Sequence, residues 1–140
     1  MSKAIFRGKD KRSDNWIEGT LDNIDEPYRI LFRNPERNNN VEIHTVVTET
    51  VGQFTGFCDK NKRKAFQGDI LSHCGGLDYG VIKYGEYSNP FTQGQHIGFY
   101  VDWVAGEDKD DLRKDLGYWL KAGTAEIVGN IYDNTELLAY

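Results

Sequence analysis

The sequence has few of the residues that build disulfide scaffolds, metal sites or membrane spans. Its 140 residues include two cysteines, three histidines and three prolines. Two cysteines are too few for a disulfide framework, and no apolar run approaches the length needed to cross a bilayer. The start of the chain, Met1 to Arg7, lacks the apolar segment of a signal peptide. We therefore expect a cytoplasmic protein without a membrane partner, and a single domain over residues 1–140.

Metal-binding patterns are missing as well. The available soft ligands are His44, Cys58, His73, Cys74 and His96, and none of them stands in a CxxC, HxH or HExxH spacing. His73 and Cys74 are neighbours in a predicted strand, where successive side chains point to opposite faces. Packed thiols and satisfied or solvated imidazoles are the simpler interpretation, so we expect no metal and no cofactor.

Catalytic signatures are equally scarce. The chain has neither a Gly-x-Ser-x-Gly elbow nor a phosphate-binding glycine loop. Either cysteine could pair with a histidine, but the sequence does not bring them together. Asp69 follows Gly68 and is interpreted as a turn residue that accepts backbone N–H groups, and Asp102 is explained by a cross-strand pair or by solvation. We expect no catalytic residue and a protein that is not an enzyme.

Charge is distributed unevenly along the chain. The net charge is −5, with +2 in residues 1–64 and −7 in residues 65–140. Two basic clusters stand out, the Arg7–Arg12 segment with four cations and the Lys60–Lys64 tip with four more. Such clusters can bind phosphates. The negative net charge of the whole chain and the lack of a recognition motif nevertheless argue against binding to nucleic acid. Whether either cluster binds anything is not decided by the sequence.

Alternation of apolar and polar residues dominates the chain and predicts strands. Ile17, Gly19 and Leu21 would share one face, and Val41, Ile43 and Val47 another. Further strands are predicted over His96–Trp103 and from Ile127 to Tyr132. We therefore predict a mainly β fold, an antiparallel sheet curled into a small barrel or sandwich.

Two segments predict short helices instead. Asp108–Leu116 has acidic residues in its first turn and would end at Gly117. Asn134 or Thr135 could cap a final turn that carries Leu137 and Leu138. Exposed loops are predicted over Arg33–Asn40 and Glu86–Gln95.

Glycines, aromatics and turn formers follow one another in a characteristic order along nearly the whole chain. The stretches concerned are Phe6–Lys9 with Trp16 and Gly19, Thr50–Gly56, Asp59–Asn61, Gly68–Ile70, Gly80–Ile82, Gly98–Tyr100 with Trp103, Glu126–Asn134 and Glu136–Leu138. Together they resemble the YopX-like family of phage and prophage proteins. The resemblance implies a mostly β fold and a phage or prophage gene in a bacterial host. It implies no biochemical activity.

The segment Val46–Leu71 contains the most specific of these stretches and one departure from the family pattern. The family usually has glycine after Asp-Lys-Asn, and here Lys62 follows Asn61. Glycine suits a positive φ, which costs other residues roughly 1 kcal/mol or more. We expect either that Asn61 takes the left-handed position or that the loop is longer and looser. Cys58 stands where a less reactive residue is more usual, which argues against a thiol function.

The function predicted from these features is interaction or assembly without catalysis. Aromatic residues exceed what a small core needs and favour interfaces; they are Tyr84, Tyr87, Phe91, Tyr100 and Tyr118. We expect a homo-oligomer, or binding to a phage or host protein. A nucleic-acid-associated accessory factor is the alternative, and an enzyme with an unrecognised site ranks third.

Overall fold

The computed structural model describes residues 4–73, 78–90, 94–104, 113–121 and 123–138. The chain divides into two compact units, Met1–Phe54 and Thr55–Tyr140. Cys74, Phe91 and the segment 108–112, to which the sequence assigned functions or structure, lie outside the described residues. The single-domain prediction stays a prediction.

Unit 1 is an antiparallel sheet of consecutive strands, as the short alternating segments predict. Its strands are β1 (Phe6–Lys9), β2 (Trp16–Asp22), β3 (Arg29–Asn34), β4 (Asn40–Thr45) and the start of β5 (Gly52–Cys58). They lie in the order β4-β3-β2-β1-β5, which leaves β4 at an edge. Short 3-10 helices at Pro35–Arg37 and Thr48–Thr50 connect strands. Ile30 and Val46 are fully buried and form the centre of this unit.

Unit 2 contains the rest of β5, which is followed by β6 in a hairpin, and a four-stranded antiparallel sheet in the order β10-β7-β8-β9. The elements are β6 (Lys64–Phe66), β7 (Asp69–His73), β8 (Asp78–Tyr87), β9 (His96–Trp103), α1 (Leu116–Lys121), β10 (Ala125–Asn130) and a 3-10 helix at Thr135–Leu138. The core of the unit is a cluster of buried apolar residues from these strands and α1. It includes Leu71, Ile82, Val101, Trp103 and Trp119.

The predicted mainly β fold with antiparallel sheets and short helices is confirmed. Neither sheet closes into a barrel in the part of the chain that the structure describes, because each retains edge strands. No helix of the described ranges is long and apolar enough to cross a membrane.

The predicted helix at residues 108–116 is wrong over its described part. Arg113 and Lys114 have no regular structure, and Asp115 forms a β-bridge with Tyr100. The helix begins at Leu116 and includes Gly117, which was expected to end it. This register buries Leu116, Trp119 and Leu120, which are spaced i, i+3 and i+4 on one helical face.

The predicted core face of the strand at 41–47 is also wrong. Val41 and Ile43 are 52% and 54% exposed, whereas Val46, just after β4, is fully buried. The alternating pattern shows correctly that Val41 and Ile43 share a face of the strand. It does not show that this face stays exposed, which follows from the position of β4 at the edge of the sheet. The loop predicted at Glu86–Gln95 begins later than expected, because Glu86 and Tyr87 belong to β8. Asn89 in this loop is buried, and its side chain bonds to Lys114 and Asp115.

Candidate functional site

The hairpin tip between β5 and β6 is organised around the buried carboxylate of Asp59, which is 5% exposed. Its Oδ1 accepts the backbone N–H groups of Asn61 and Arg63, both at 2.9 Å. Its Oδ2 accepts the N–H of Ile127 on β10, also at 2.9 Å. A carboxylate suits this position because it offers several acceptor sites to converging amides. The tip is therefore fixed to β10.

Lys62 itself takes the left-handed conformation in this tip, with φ of 64°. Both alternatives expected from the sequence, a left-handed Asn61 or a looser loop, are wrong. The Lys62 N–H donates to the Asp59 carbonyl at 2.9 Å, and the Asp59 N–H donates to the Arg63 carbonyl at 2.9 Å. These bonds keep the turn tight, so the lysine accepts the strain that glycine would avoid.

At least two of the four cationic side chains of the Lys60–Lys64 tip form contacts within unit 2. Lys60 Nζ lies 3.9 Å from Glu126 Oε2, and Arg63 Nη1 donates to the Ile127 carbonyl at 3.1 Å. The Asn61 amide also donates to Glu126, at 3.1 Å. Much of this basic cluster therefore serves to hold the turn on β10.

The Arg7–Arg12 segment divides into two parts with different surroundings. Arg7 and Lys9 alternate along β1 and both lie over the ring of Trp16, at 4.6 and 5.6 Å from its centroid. Lys9 Nζ also lies 3.6 Å from the Asp14 carboxylate. These two cations stabilise the β1–β2 pair by cation–π contact.

The second part, Lys11 and Arg12, borders a cavity of about 740 Å³ in unit 1. The other residues that line it are Asp10, Arg37, Glu42, Ile43, His44 and Thr45. Arg37 comes from the 3-10 helix between β3 and β4. Two separate segments of the chain therefore contribute cationic side chains to the lining of this cavity. Arg37 Nε lies 3.9 Å from Glu42 Oε2.

His44 lies between two carboxylates in this cavity. Its Nδ1 is 2.9 Å from Asp10 Oδ2, and its Nε2 is 2.9 Å from Glu42 Oε1. Ionised carboxylates only accept hydrogen bonds, so two such contacts require both ring nitrogens to carry protons. The geometry therefore favours the imidazolium cation.

The pKa values agree with this geometry. The hydrogen bond to Glu42, and then the one to Asp10, raises the pKa of His44. The pKa of Asp10 is lowered, first by the Arg12 backbone N–H and then by His44. The pKa of Glu42 is lowered mainly by its bond to His44. All three pKa shifts favour the charged forms of these groups.

Sequence reasoning considered His44 only as a soft metal ligand and did not identify Asp10, Glu42 or Arg37 as part of a site. A signal was present, because Glu42 and His44 are two apart in a strand and so share a face. Asp10 lies 34 positions from His44 along the chain, and only the sheet brings them together. In the described residues, no group of three or more His, Cys, Asp or Glu side chains is placed to hold a metal ion.

His73 belongs to the core of unit 2. It is 7% exposed, and its ring lies 4.8 Å from that of Trp103 and 4.6 Å from that of Trp119. Its Nε2 is 3.1 Å from Asp78 Oδ2. The imidazole is therefore a packed and paired core residue, as the simpler interpretation of the sequence expected. Cys58 is exposed.

Asp69 and Asp102 have the structural functions that the sequence predicted. Asp69 Oδ2 accepts the Phe66 N–H at 2.8 Å and fixes the turn into β7. Asp102 forms a cross-strand pair with Lys83, whose Nζ lies 2.7 Å away and whose pKa is raised by this bond.

Aromatic and aliphatic side chains remain exposed on the β8–β9 ribbon. Tyr84 is 57% exposed and Ile97 is 70% exposed. The Tyr84 ring packs edge-on against that of its strand partner Phe99, at 5.0 Å. On the other face of the ribbon, Tyr87 stacks on Tyr100 with their ring centroids 5.2 Å apart. Tyr118 of α1 is 46% exposed, so several of the aromatics singled out in the sequence do lie at the surface.

Comparisons with known proteins place the chain in a family. The chain belongs to the YopX protein family, whose sequence model matches residues 5–139. This confirms the family predicted from the motifs. A search of curated protein sequences finds no match. Among solved structures, the chain is similar to protein EF1440 from Enterococcus faecalis, with 20% identity, a TM-score of 0.52 and 99% of each chain covered. At this identity the likeness shows the fold alone.

Proposed function

We propose that this member of the YopX family is a non-enzymatic interaction protein that assembles with a second copy of itself. The observation that carries the proposal is the exposed apolar surface of the β8–β9 ribbon, formed by Tyr84 and Ile97 beside the partly buried Phe99. Isolated exposed apolar residues are ordinary. Here an isoleucine that is 70% exposed lies on the edge strand of a sheet, near a tyrosine that is 57% exposed. Such combinations mark interaction surfaces.

The geometry of β9 favours strand pairing as the mode of assembly. From Tyr100 onward its outer edge is occupied, since Tyr100 bridges Asp115 and the Val101 N–H donates to the Lys114 carbonyl. Over residues 97–99 no strand pairs with that edge among the described ranges. An edge of this kind is a template for another strand unless charges or prolines protect it. The sequence Ile97-Gly98-Phe99 contains neither.

A second copy is the partner that this edge fits best. Antiparallel pairing of β9 with itself about a two-fold axis would place the same uncharged segment on both sides. Like charges directly opposite destabilise a strand pair, and this segment has none to oppose its copy. Each copy would cover the other's Ile97.

Sedimentation velocity and light scattering over nanomolar to high micromolar concentrations test this assembly. We expect a dimer for the unaltered chain and a monomer for Ile97→Lys, because a lysine would face its own copy across the axis. Ile24→Lys is the matched control, since Ile24 is 86% exposed on a turn and not on a strand edge. A monomer for the unaltered chain at every concentration, or equal dissociation in both variants, would refute the proposal.

The source and location form part of the same proposal. The family resemblance implies a phage or prophage gene in a bacterial host, and we propose the cytoplasm of that host as the location. Morphogenesis genes as neighbours would support an assembly function, whereas replication genes would favour the nucleic-acid alternative. Fractionation of expressing cells tests the location.

A further inference from the structure

Three cationic side chains border the cavity in unit 1, and two of them differ in their surroundings from the basic residues described above. Arg7 and Lys9 lie over Trp16, and Lys60 is paired with Glu126. By contrast, the side chains of Lys11 and Arg12 form no ion pair with a carboxylate among the described residues, and they border the same hollow as Arg37. Their backbone is nonetheless fixed.

Two backbone bonds hold this segment in place. The Lys11 N–H donates to the Thr45 carbonyl at 2.9 Å, and the Arg12 N–H donates to Asp10 Oδ1 at 3.0 Å. Because the chain path is fixed, the two side chains emerge from constant positions at the rim. A rim whose backbone is already fixed loses less freedom when a ligand binds than a mobile loop does.

The charge balance of the cavity favours an anion. Asp10 and Glu42 are the two carboxylates, and both face the imidazolium of His44. Arg37 lies close to Glu42 as well. Three rim cations and one imidazolium against two carboxylates leave the lining positive, although unit 1 has many acidic residues elsewhere.

We infer that this cavity binds phosphate groups through Lys11, Arg12 and Arg37. Guanidinium groups match phosphate oxygens in bidentate geometry, and they remain charged at any pH of interest. A volume of about 740 Å³ accommodates a phosphate together with the sugar or base attached to it. The phosphate source is either a nucleic-acid backbone or a small phosphorylated compound, and this site is independent of the β9 edge.

Fluorescence anisotropy of a labelled thymidine decamer tests the site on the full chain. If three cations contact phosphates, log K should fall against log salt with a slope of about −2 for a single strand. Affinity would then drop roughly 18-fold between about 50 and 200 mM salt. Arg12→Gln/Arg37→Gln should reduce the slope to about −0.7 and the drop to about 2.6-fold.

Two further variants distinguish binding at this cavity from non-specific electrostatic binding by other basic residues. Lys60→Gln/Lys62→Gln removes the same charge at the hairpin tip and should leave the affinity unchanged. Lys11→Gln removes one rim cation without disturbing the Glu42–Arg37 contact, and should make the slope shallower by about 0.7. Circular dichroism checks that each variant is folded, which is expected because these side chains are at the surface.

Inorganic phosphate distinguishes the sources. Calorimetric binding of phosphate at constant ionic strength, lost in Arg12→Gln/Arg37→Gln, would identify a small phosphorylated ligand. Decamer binding that phosphate does not displace would identify the phosphodiester backbone. Binding of neither probe at low salt, equal binding by the rim variant, or an equal loss in the tip variant would overturn the inference.

Discussion

The Asp59 carboxylate holds the hairpin tip on β10 through three backbone hydrogen bonds, so its replacement should destabilise unit 2. Asp59→Ala removes all three acceptor contacts at once. The donors on Asn61 and Arg63 belong to exposed residues and can turn to water, whereas the Ile127 N–H is bonded in a buried position.

The expected cost follows from this difference. A hydrogen bond to a charged group contributes about 1.5–3 kcal/mol, and a buried donor left without a partner costs about 1–3 kcal/mol. Allowing for water at the two exposed donors, we expect Asp59→Ala to lower the free energy of unfolding by about 3–5 kcal/mol. Asp59→Asn retains one carbonyl acceptor and should cost about half as much.

Urea unfolding followed by tryptophan fluorescence measures these changes, because Trp103 and Trp119 are both buried in unit 2. The midpoint should shift while the slope with denaturant stays constant. A loss below about 1 kcal/mol for Asp59→Ala would show that the three bonds do not hold the tip. Equal losses for the alanine and asparagine variants would show that acceptor number is irrelevant.

Three further predictions concern other parts of the chain. The pKa of His44 is raised in the folded state, so its protonation stabilises the fold fully below the pKa of the unfolded state, about 6.5. This stabilisation is lost as the pH rises through the pKa of the folded state. The free energy of unfolding should therefore decline with pH across this range, and His44→Gln should flatten the decline. Gly80→Ala would place a Cβ against Val101 Cγ1 and 2.9 Å from Trp103 Cε3. Thermal and urea unfolding should therefore reveal a loss of about 1–3 kcal/mol from overpacking; a neutral result would contradict the close packing between β8 and β9 at this position. Lys62→Asn should gain up to about 1 kcal/mol in urea unfolding, because asparagine tolerates the left-handed region better than lysine, and a destabilised variant would contradict the strain assigned to this position.

Much of the architecture was predictable from local pattern. Alternation located the strands near Trp16, His96 and Ile127, since the two-residue period of a strand is a property of the backbone itself. The Gly68-Asp69 turn was predictable for the same reason, because a side chain that bonds to nearby amides acts within a few residues. Lys62 was wrongly interpreted, since the bonds that force its positive φ involve the whole turn.

The family, the mainly β class and the residues that set backbone shape follow from the sequence, because these depend on short-range periodicity and turn chemistry. The tertiary structure shows which apolar face stays exposed, as with Ile43 on an edge strand. It alone also brought Asp10, His44 and Arg37 to one cavity. Such contacts depend on how strands pair over long separations, and two basic clusters with four cations each acquire different surroundings only when that pairing is formed.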